Sequence, residues 1–206
     1  VAVQEVVVLG SGVAGLTAAL AAAEAGAAVH VIEQADFFGG TTALSGGVAW
    51  MPNNHLMEPN GVDDSNDDAL LYLREVVDGE ADFGLLEVFV REARSTALWV
   101  EELTPLRWES LPYPDYFPEC VGGRLGHRSL EPLGWPVPEE IARQIRSAPN
   151  VPLPVAYGEL LAGMPSREEL ERRQDQGILT MGRALVAGLF SAAVQRGVGF
   201  EAGRRI

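Results

Sequence analysis

The sequence predicts a mixed α/β fold built around a parallel sheet, on two observations. Residues 5–9 and 28–33 are short runs rich in β-branched side chains, and an alanine- and leucine-rich segment, 13–25, lies between them. A glycine triplet within residues 10–15 marks the junction between the first run and this helical segment. Strand, helix and strand in this order form a βαβ unit, whose two strands pair in parallel.

Composition and charge limit the partners of the chain. Of its 206 residues 47% are hydrophobic and 21% charged, which is typical of a globular protein. The 29 acidic residues outnumber the 15 basic ones, all arginine, and the net charge of -14 disfavours nucleic acid and anionic membranes as partners. The apolar stretch 6–32 is interrupted by glycines, Glu24 and His30, so we expect no membrane span. The single cysteine, Cys120, cannot form an intrachain disulfide, which suits the reducing cytoplasm.

The glycine triplet, GSGVAG at residues 10–15, has the spacing G-x-G-x-x-G of a Rossmann-like dinucleotide-binding turn. In such a turn the first glycine permits a tight bend, the second lets the backbone approach a diphosphate, and the third lets the helix pack closely. The free N–H groups that open the helix then face the phosphates. We therefore predict that Gly10, Ser11, Gly12, Ala14 and Gly15 contact the dinucleotide.

An acidic residue follows at the expected place. Glu33 ends the second strand 18 residues after Gly15, close to the spacing of about 20 for a carboxylate that accepts from a ribose hydroxyl. A carboxylate there disfavours a 2′-phosphate and hence NADP. Gln34, the next residue, is assigned to the same contact. Glycine triplets also arise by chance, but the order of strand, triplet, helix, strand and acid favours a dinucleotide site over a structural turn.

A run of small residues comes shortly after the acid. Residues 39–47 read GGTTALSGG, with four glycines and three hydroxyl side chains. Such a segment offers backbone N–H groups and short polar side chains to an anionic or polar ligand without bulk that would keep it away. A flexible loop is the alternative, but it explains neither the order nor the spacing.

The rest of the chain predicts further elements around a long irregular segment, 104–154, in which prolines crowd and periodicity fails. The acidic residues of 63–82 are expected on a solvated helix face because they lack metal-ligand spacing, and His55 and His127 are lone histidines. The predicted elements are a helix opened by the capping box of Ser65 and Asp68 and ending near residue 77, a helix with the apolar stripe Leu85, Phe89, Ala93 and Leu103, a short helix at 139–146, a helix at 182–195 and a strand at 198–202.

These motifs resemble the FAD-binding domain of the fumarate reductase and 3-ketosteroid 1-dehydrogenase flavoprotein superfamily. The resemblance implies FAD as cofactor and a Rossmann-like FAD-binding domain of the glutathione-reductase type, here incomplete and with helical and loop insertions. It implies that residues 1–55 form the first part of this domain, 56–176 an insertion near the flavin and substrate, and 177–206 the returning helix and strand. The ADP part would be held by Gly10, Gly12, Gly15 and Glu33, the rest of the cofactor by Gly40, Thr41, Thr42, Ser45, Gly46 and Gly47, and the adenine would meet Ile206.

Two stretches are similar to the ketosteroid dehydrogenase branch, ALSGGVAWMPNN at 43–54 and the PDYFPE, GGR and GHRSLEP pieces within 114–132. The implied reaction removes two hydrogens from adjacent carbons beside the ketone of a 3-ketosteroid or similar cyclic ketone. Tyr116 is the catalytic candidate, with Tyr113 as an alternative and an aromatic plug of the proline-rich loop as the non-catalytic interpretation. A fumarate- or enoate-type reductase, or a catalytically inert FAD-binding or assembly subunit, are the alternative functions.

Two further pairs of residues leave alternatives open. Arg124 and Arg128 would bind a substrate carboxylate in a reductase, or else pair with nearby acids such as Glu119 and Glu131, which is the commoner role of arginine in loops. Trp50 and Phe117 would line an apolar cavity of steroid size, although most such aromatic side chains belong to the core.

The resemblance also implies a partner. Members of the superfamily are substantially longer and carry further glycine-rich segments and the principal catalytic tyrosine late in the chain. We therefore expect either a second polypeptide that completes the FAD and substrate sites in a hetero-oligomer, or the missing remainder of the same protein. The expected substrate is a small apolar ketone, and the sequence does not indicate the electron acceptor. A half sheet would also expose apolar edges that a complete protein covers.

Overall fold

The computed structural model describes residues 3–148 and 153–205. Its helices are α1 (Val13–Glu24), α2 (Asn66–Val77), α3 (Phe83–Leu103), α4 (Glu139–Ala142), α5 (Tyr157–Ala162), α6 (Arg167–Asp175) and α7 (Met181–Gln195). Its strands are β1 (Glu5–Leu9), β2 (Ala28–Ile32), β3 (Ala49–Trp50), β4 (Trp108–Ser110), β5 (Ser129–Pro132), β6 (Trp135–Pro136), β7 (Ile178–Leu179) and β8 (Gly199–Glu201). Every element expected from the sequence is present, with differences only at the ends.

A parallel sheet carries the glycine-rich turn. Strands β1, β2 and β8 form it, with β2 in the middle. Helices α1 and α7 pack against each other. The small side chains of these helices close the core together with the apolar strand residues, in a cluster of Ala19, Val29, Val31, Ala193 and Val198. The predicted mixed α/β fold is confirmed.

Strand β1 has one uncovered face. Val6 and Val8 pack against the core cluster, whereas Val7 and Leu9 are 61% and 65% exposed. Among the described strands β1 pairs with β2 alone, so its other edge is free in this part of the chain. Strands of parallel sheets are normally covered on both faces. The exposed face of β1 is therefore an apolar surface at the edge of the sheet.

The chain divides into two compact units. The first comprises Val1–Gly47, Leu103–Arg107 and Pro132–Ile206, and the second comprises Val48–Glu102 and Trp108–Glu131. The segment 132–176, which the sequence analysis grouped with the insertion, thus packs with the residues of the parallel sheet.

The second unit is built on α2, α3 and the sheet of β3, β5 and β4. Trp50 is half-buried and packs against two other aromatic residues, with its ring centroid 5.9 Å from those of both Tyr72 and Phe89. The predicted helix α3 is confirmed, but the predicted buried stripe is wrong in part, since Leu85 and Phe89 are exposed. The buried stripe is Val90, Ala93, Ala97 and Val100. This helix carries apolar residues on more than one face, and the face that contains the small alanines is the one that is buried.

The segment expected to be irregular contains three strands, β4, β5 and β6, of two to four residues each. Strands this short carry no readable alternation, and prolines within them argue against strands in the sequence. Helices α5 and α6 were not predicted from the sequence. The second of these had a signal, because Ser166 Oγ accepts from the Glu169 N–H at 3.2 Å in the capping position.

Two absences hold for residues 3–148 and 153–205. No helix in these ranges has the length and apolar character needed to cross a bilayer. In the same ranges no three His, Cys, Asp or Glu side chains are grouped so that they could hold a metal ion.

Gly182, in the first turn of α7, tests how closely this helix approaches the small-residue run. A Cβ atom at this position would lie 1.8 Å from the carbonyl oxygen of Thr42. We expect Gly182→Ala to lower the free energy of unfolding by about 3 kcal/mol, because backbone rather than a movable side chain blocks the methyl group. Denaturant unfolding measures the loss. Gly84→Ala is the matched control, since its Cβ would meet only the Asp82 side chain, at 3.2 Å; equal losses in both variants would contradict the account.

Candidate functional site

The glycine-rich turn has the geometry that its spacing predicts. Gly10 follows β1 with a φ of +91°, in the left-handed region that favours glycine. A Cβ atom at Gly15 would lie 2.0 Å from the carbonyl oxygen of Gly10. Gly15 therefore lets α1 begin directly against the turn.

The opening of α1 faces a second glycine segment. A Cβ atom at Gly40, which has a φ of +52°, would lie 3.8 Å from the N and Cα atoms of Gly12, so the backbones of the two glycines lie close together at this end of α1. The N–H of Val13 donates to Thr42 Oγ1 at 3.1 Å, so one N–H at this end of α1 is already bonded. Ala14 lies exposed beside it. The remaining opening can admit a diphosphate against backbone N–H groups.

Glu33 is a buried hub, only 5% exposed. Its Oε2 accepts from the Ser11 N–H at 2.9 Å and from Ser11 Oγ at 2.6 Å, and its Oε1 accepts from the Ala35 N–H at 3.0 Å. Ser11 Oγ in turn accepts from the Gly39 N–H at 2.9 Å. Burial alone would raise the pKa of Glu33, but the hydrogen bonds from Ser11 and from backbone N–H groups outweigh it and lower the pKa. The carboxylate thus stays ionised and ties the turn to the segment that follows β2.

Ser11 forms its hydrogen bonds within this buried hub rather than at the surface of the site. It is fully buried, and both its N–H and its hydroxyl are bonded to Glu33.

The glycines of the small-residue run are required by packing. Gly39 would place a Cβ 2.9 Å from the Val186 side chain, and Gly46 would place one 3.0 Å from the ring of Tyr157. Gly47, with a φ of +70°, would place one 2.6 Å from the Gly182 nitrogen. Ser45 Oγ donates to the Thr42 carbonyl at 2.8 Å and accepts from the Gly47 N–H at 3.1 Å. This run is therefore a defined structure held against α7, and the flexible-loop alternative does not describe it.

The turn, the acid and the start of the run enclose a cleft of about 480 Å³ in the first unit. The lining includes two arginines that the sequence analysis missed, Arg146 and Arg204. Arg204 pairs with Glu201 at 2.8 Å, whereas the guanidinium of Arg146 bonds to none of the described residues. Arg146 is held at the cleft because its neighbour Ile145 forms a backbone bridge to Phe38. No local sequence pattern predicts this contact. The lining consists of Leu9, Gly10, Ser11, Gly12, Ile32, Glu33, Gln34, Ala35, Gly40, Thr41, Arg146 and Arg204.

Other predicted contacts lie away from this cleft or outside the described residues. Gly15 lies beneath the turn, and Thr42, Ser45, Gly46 and Gly47 continue the run beyond it. Ile206 falls outside the described residues.

In the second unit, Tyr116 stands on a loop that is anchored on both sides. The Tyr116 side chain is 87% exposed, so it does not plug the proline-rich loop. The preceding Asp115 is buried; its Oδ1 accepts from Trp50 Nε1 at 2.7 Å, and its Oδ2 accepts from the Arg124 N–H at 2.9 Å and from Arg128 at 2.8 Å. A rigid base thus presents an exposed phenol.

Both candidate arginines of this unit are paired with carboxylates. Arg128, 1% exposed, pairs with Asp64 at 2.6 Å and with Asp115 at 2.8 Å. Burial by itself would lower the pKa of Arg128, but the two carboxylates outweigh it and raise the pKa. Arg124 pairs with Asp68 at 2.7 Å. The expectation that arginines pair with acids is confirmed, but with other acids than expected, and Asp64 is buried rather than on a solvated helix face.

The two histidines have ordinary partners. His55 Nε2 lies 3.2 Å from Glu101, and His127 Nδ1 lies 2.9 Å from Ser110 Oγ.

A glycine turn at a helix opening, a facing glycine and a buried carboxylate at the end of the next strand define a dinucleotide-binding domain of the FAD or NAD class. The family comparison identifies which one. Residues 5–204 match the family model described as "FAD binding domain", and the chain belongs to that family. FAD is the cofactor that this membership indicates.

Two relatives are dehydrogenases that are named for oxo substrates. The chain is 36% identical over 199 residues to a 4-oxocyclohexanecarboxylate 2-dehydrogenase of Sinomonas cyclohexanicum, covering 94% of this chain and 35% of the relative. It is 42% identical over 129 residues to a 3-oxosteroid 1-dehydrogenase of Mycobacterium tuberculosis, covering 62% of this chain and 23% of the relative. The chain thus spans about a third or less of the length of these relatives.

A solved structure is similar over almost the whole chain. The crystal structure of 3-ketosteroid delta1-dehydrogenase from Sterolibacterium denitrificans, in complex with 1,4-androstadiene-3,17-dione, superimposes with a TM-score of 0.85 at 26% identity. The match covers 96% of this chain and 40% of that one.

Glu33→Gln tests the buried hub. The amide keeps one acceptor but loses the charge that Ser11 and the backbone donors stabilise, so we expect a loss of about 1–3 kcal/mol in the free energy of unfolding at neutral pH. Because folding lowers the pKa of Glu33 below its usual 4.5, the stabilising contribution is present above that value and is lost as the pH falls through the folded-state pKa. Urea unfolding at neutral and acidic pH should therefore show the two proteins converge in acid. The exposed Glu5→Gln is the control; a loss in Glu33→Gln that is independent of pH would contradict this account.

Proposed function

We propose that this chain is the FAD-binding part of a flavin-dependent dehydrogenase that acts on the CH–CH group beside the ketone of a 3-ketosteroid or similar cyclic ketone. The observation that carries the proposal is the cleft lined by Gly12, Glu33 and Gly40, in a chain that is similar to dehydrogenases named for cyclic oxo compounds. The sheet of β1, β2 and β8 with α1 is then the first part of a Rossmann-like domain of the glutathione-reductase type.

The residues of the cleft fit FAD. Gly12 and Gly40 line the cleft without side chains, so a diphosphate can lie against both backbones at the opening of α1. Glu33 Oε1 accepts from the Ala35 N–H at 3.0 Å, and a carboxylate oxygen can accept from a ribose hydroxyl as well. Gln34 lies beside it, and Thr41 lines the same cleft. The remaining contacts, from Thr42 to Gly47, would follow the cofactor towards its ring.

The chemistry divides between cofactor and protein. When bound, FAD supplies the acceptor for the two electrons that leave the substrate. Tyr116 is the residue we assign to the proton at the carbon beside the ketone, as a base or as a support for one, because its phenol is exposed on a loop that Asp115 fixes.

Further polypeptide would complete both sites. Val7 and Leu9 expose apolar surface at a free sheet edge, and Tyr116 is uncovered in the described chain. We assign their cover to the remainder of the same protein or to a second polypeptide. The cytoplasmic location suggested by the single cysteine stays a prediction.

The acid partners of Arg124 and Arg128 do not favour a fumarate-type reductase, since neither guanidinium is free for a substrate carboxylate.

The function is tested on the purified full-length protein. We expect flavin absorbance bands. We also expect the protein to reduce an artificial electron acceptor when a 3-ketosteroid or 4-oxocyclohexanecarboxylate is added, but not when the corresponding ring compound without the ketone is added. Tyr116→Phe should lower kcat roughly 100-fold or more with FAD content unchanged. A comparable loss in Tyr113→Phe alone would move the role to that residue. Absence of flavin, or flavin without ketone-dependent turnover, would contradict the proposal and leave the inert subunit.

Arg146→Gln tests the electrostatics of the cleft. The guanidinium of Arg146 lines it without an acid partner among the described residues, so we expect it to face the diphosphate charge. Its loss should weaken FAD binding roughly tenfold and reduce the dependence of the affinity on salt. Equilibrium titration of the deflavinated full-length protein measures both effects. Arg143→Gln is the matched control, since Arg143 is exposed and pairs with Glu139 on the same turn; equal effects of the two substitutions would refute a specific role.

A further inference from the structure

Arg183 is a partly buried cation without a partner. It stands in the first turn of α7, between two fully buried neighbours, Gly182 and Ala184. Its Nε–H is buried and donates to no hydrogen-bond acceptor of the described chain, and no described acid pairs with its guanidinium. Burial lowers the pKa of Arg183, and no neighbouring carboxylate opposes this effect. A buried Nε–H without an acceptor is unusual for an arginine, because the hydration that this N–H loses is not replaced.

Arg128 shows how the same chain treats a buried arginine elsewhere. Its guanidinium receives two carboxylates, Asp64 and Asp115, which compensate its burial. The 29 acidic residues of the chain leave no shortage of partners, yet none of those described reaches Arg183. The missing anion is therefore expected from outside the described chain.

A small cavity lies beside Arg183 in the first unit. Its volume is about 100 Å³, which is room for a carboxylate and part of a ring but not for a steroid. Most of its lining is apolar, and it includes Ala43, Leu44, Ser45, Ile178, Thr180 and Met181. Residues 43–45 continue directly from Gly40 and Thr41, which line the dinucleotide cleft. The cavity therefore adjoins the run that we propose follows FAD.

We propose that Arg183 binds the carboxylate of the substrate, and that the substrate is a small cyclic ketone carrying one carboxylate rather than a neutral steroid. This inference rests on the proposed function. The planar guanidinium can bind a carboxylate with two parallel hydrogen bonds, and the pairing restores the interactions that burial removes. A single cation in an apolar cavity matches a monoanion; a phosphate dianion would require more donors than the cavity provides.

The binding test uses a carboxylate that cannot react. Cyclohexanecarboxylate is titrated calorimetrically into the FAD-loaded full-length protein, with the neutral cyclohexanecarboxamide as the matched ligand. We expect Arg183→Gln to weaken carboxylate binding roughly 30-fold or more, Arg183→Lys to retain part of the affinity, and the amide to bind weakly and equally to all variants. Arg167→Gln, at an exposed arginine paired with Glu171, is the control substitution. The inference is overturned if the wild type and Arg183→Gln bind cyclohexanecarboxylate with equal affinity. It is also overturned if the wild type does not bind this carboxylate, because another anion then occupies Arg183.

Flavin absorbance and thermal unfolding show whether each variant is folded and loaded with FAD. If Arg183→Gln is not, the wild type is compared with Arg183→Lys instead. The inference is then overturned if Arg183→Lys binds both the carboxylate and the amide with the affinities of the wild type.

Turnover separates this inference from the proposed function. Both the dehydrogenase and the Arg183 site are supported if the protein oxidises 4-oxocyclohexanecarboxylate and Arg183→Gln raises the KM for this acid but not the KM for its methyl ester. Turnover of a 3-ketosteroid that Arg183→Gln leaves unchanged, without turnover of the keto acid, overturns the substrate class and keeps the dehydrogenase. Carboxylate binding that depends on Arg183, without turnover of any ketone, refutes the dehydrogenase and keeps the site.

Discussion

The buried carboxylate of Glu33 is the interaction on which the first unit depends. Its side chain gathers the N–H and hydroxyl of Ser11 and the N–H of Ala35, and through Ser11 it holds Gly39. Its backbone N–H donates to the Glu201 carbonyl at 2.8 Å, so the same residue joins the end of β2 to β8. The turn, the small-residue run and the last strand are thus fixed by one residue, and the cleft between them has a defined shape before any ligand arrives.

Close packing at α7 explains why the run after Glu33 is made of small residues. Gly47 and Gly182 meet backbone to backbone, and Gly182 also lies against the Thr42 carbonyl. Glycine in this run therefore serves the fold as well as a ligand. The same approach places Arg183 beside residues 43–45, so the packing that shapes the cofactor segment also creates a small cavity with a cation at its edge. In the second unit, Arg128 and its two acids have the corresponding structural role.

Local signals predicted much of this molecule, and non-local contacts account for the rest. The βαβ unit was predictable because strand and helix periodicities change sharply around Gly10 and Gly26, and Ser65 caps α2 as its spacing indicated. The strands β4 to β6 were not, since two to four residues carry no pattern. The burial of Asp64 was missed because its partner Arg128 lies 64 residues away in the chain. Arg146 enters the cleft through a tertiary contact of the adjacent Ile145, and no sequence spacing encodes that.

The proposed function depends on where the dinucleotide binds to this chain. The most direct measurement is a crystal structure of the full-length protein with bound FAD. The diphosphate should lie in the cleft against Gly12 and Gly40, with the ribose of the ADP part against Glu33 and the cofactor continuing along residues 41–47. Density for FAD elsewhere, with the cleft that Gly12 and Gly40 line filled by protein side chains, would contradict the central claim.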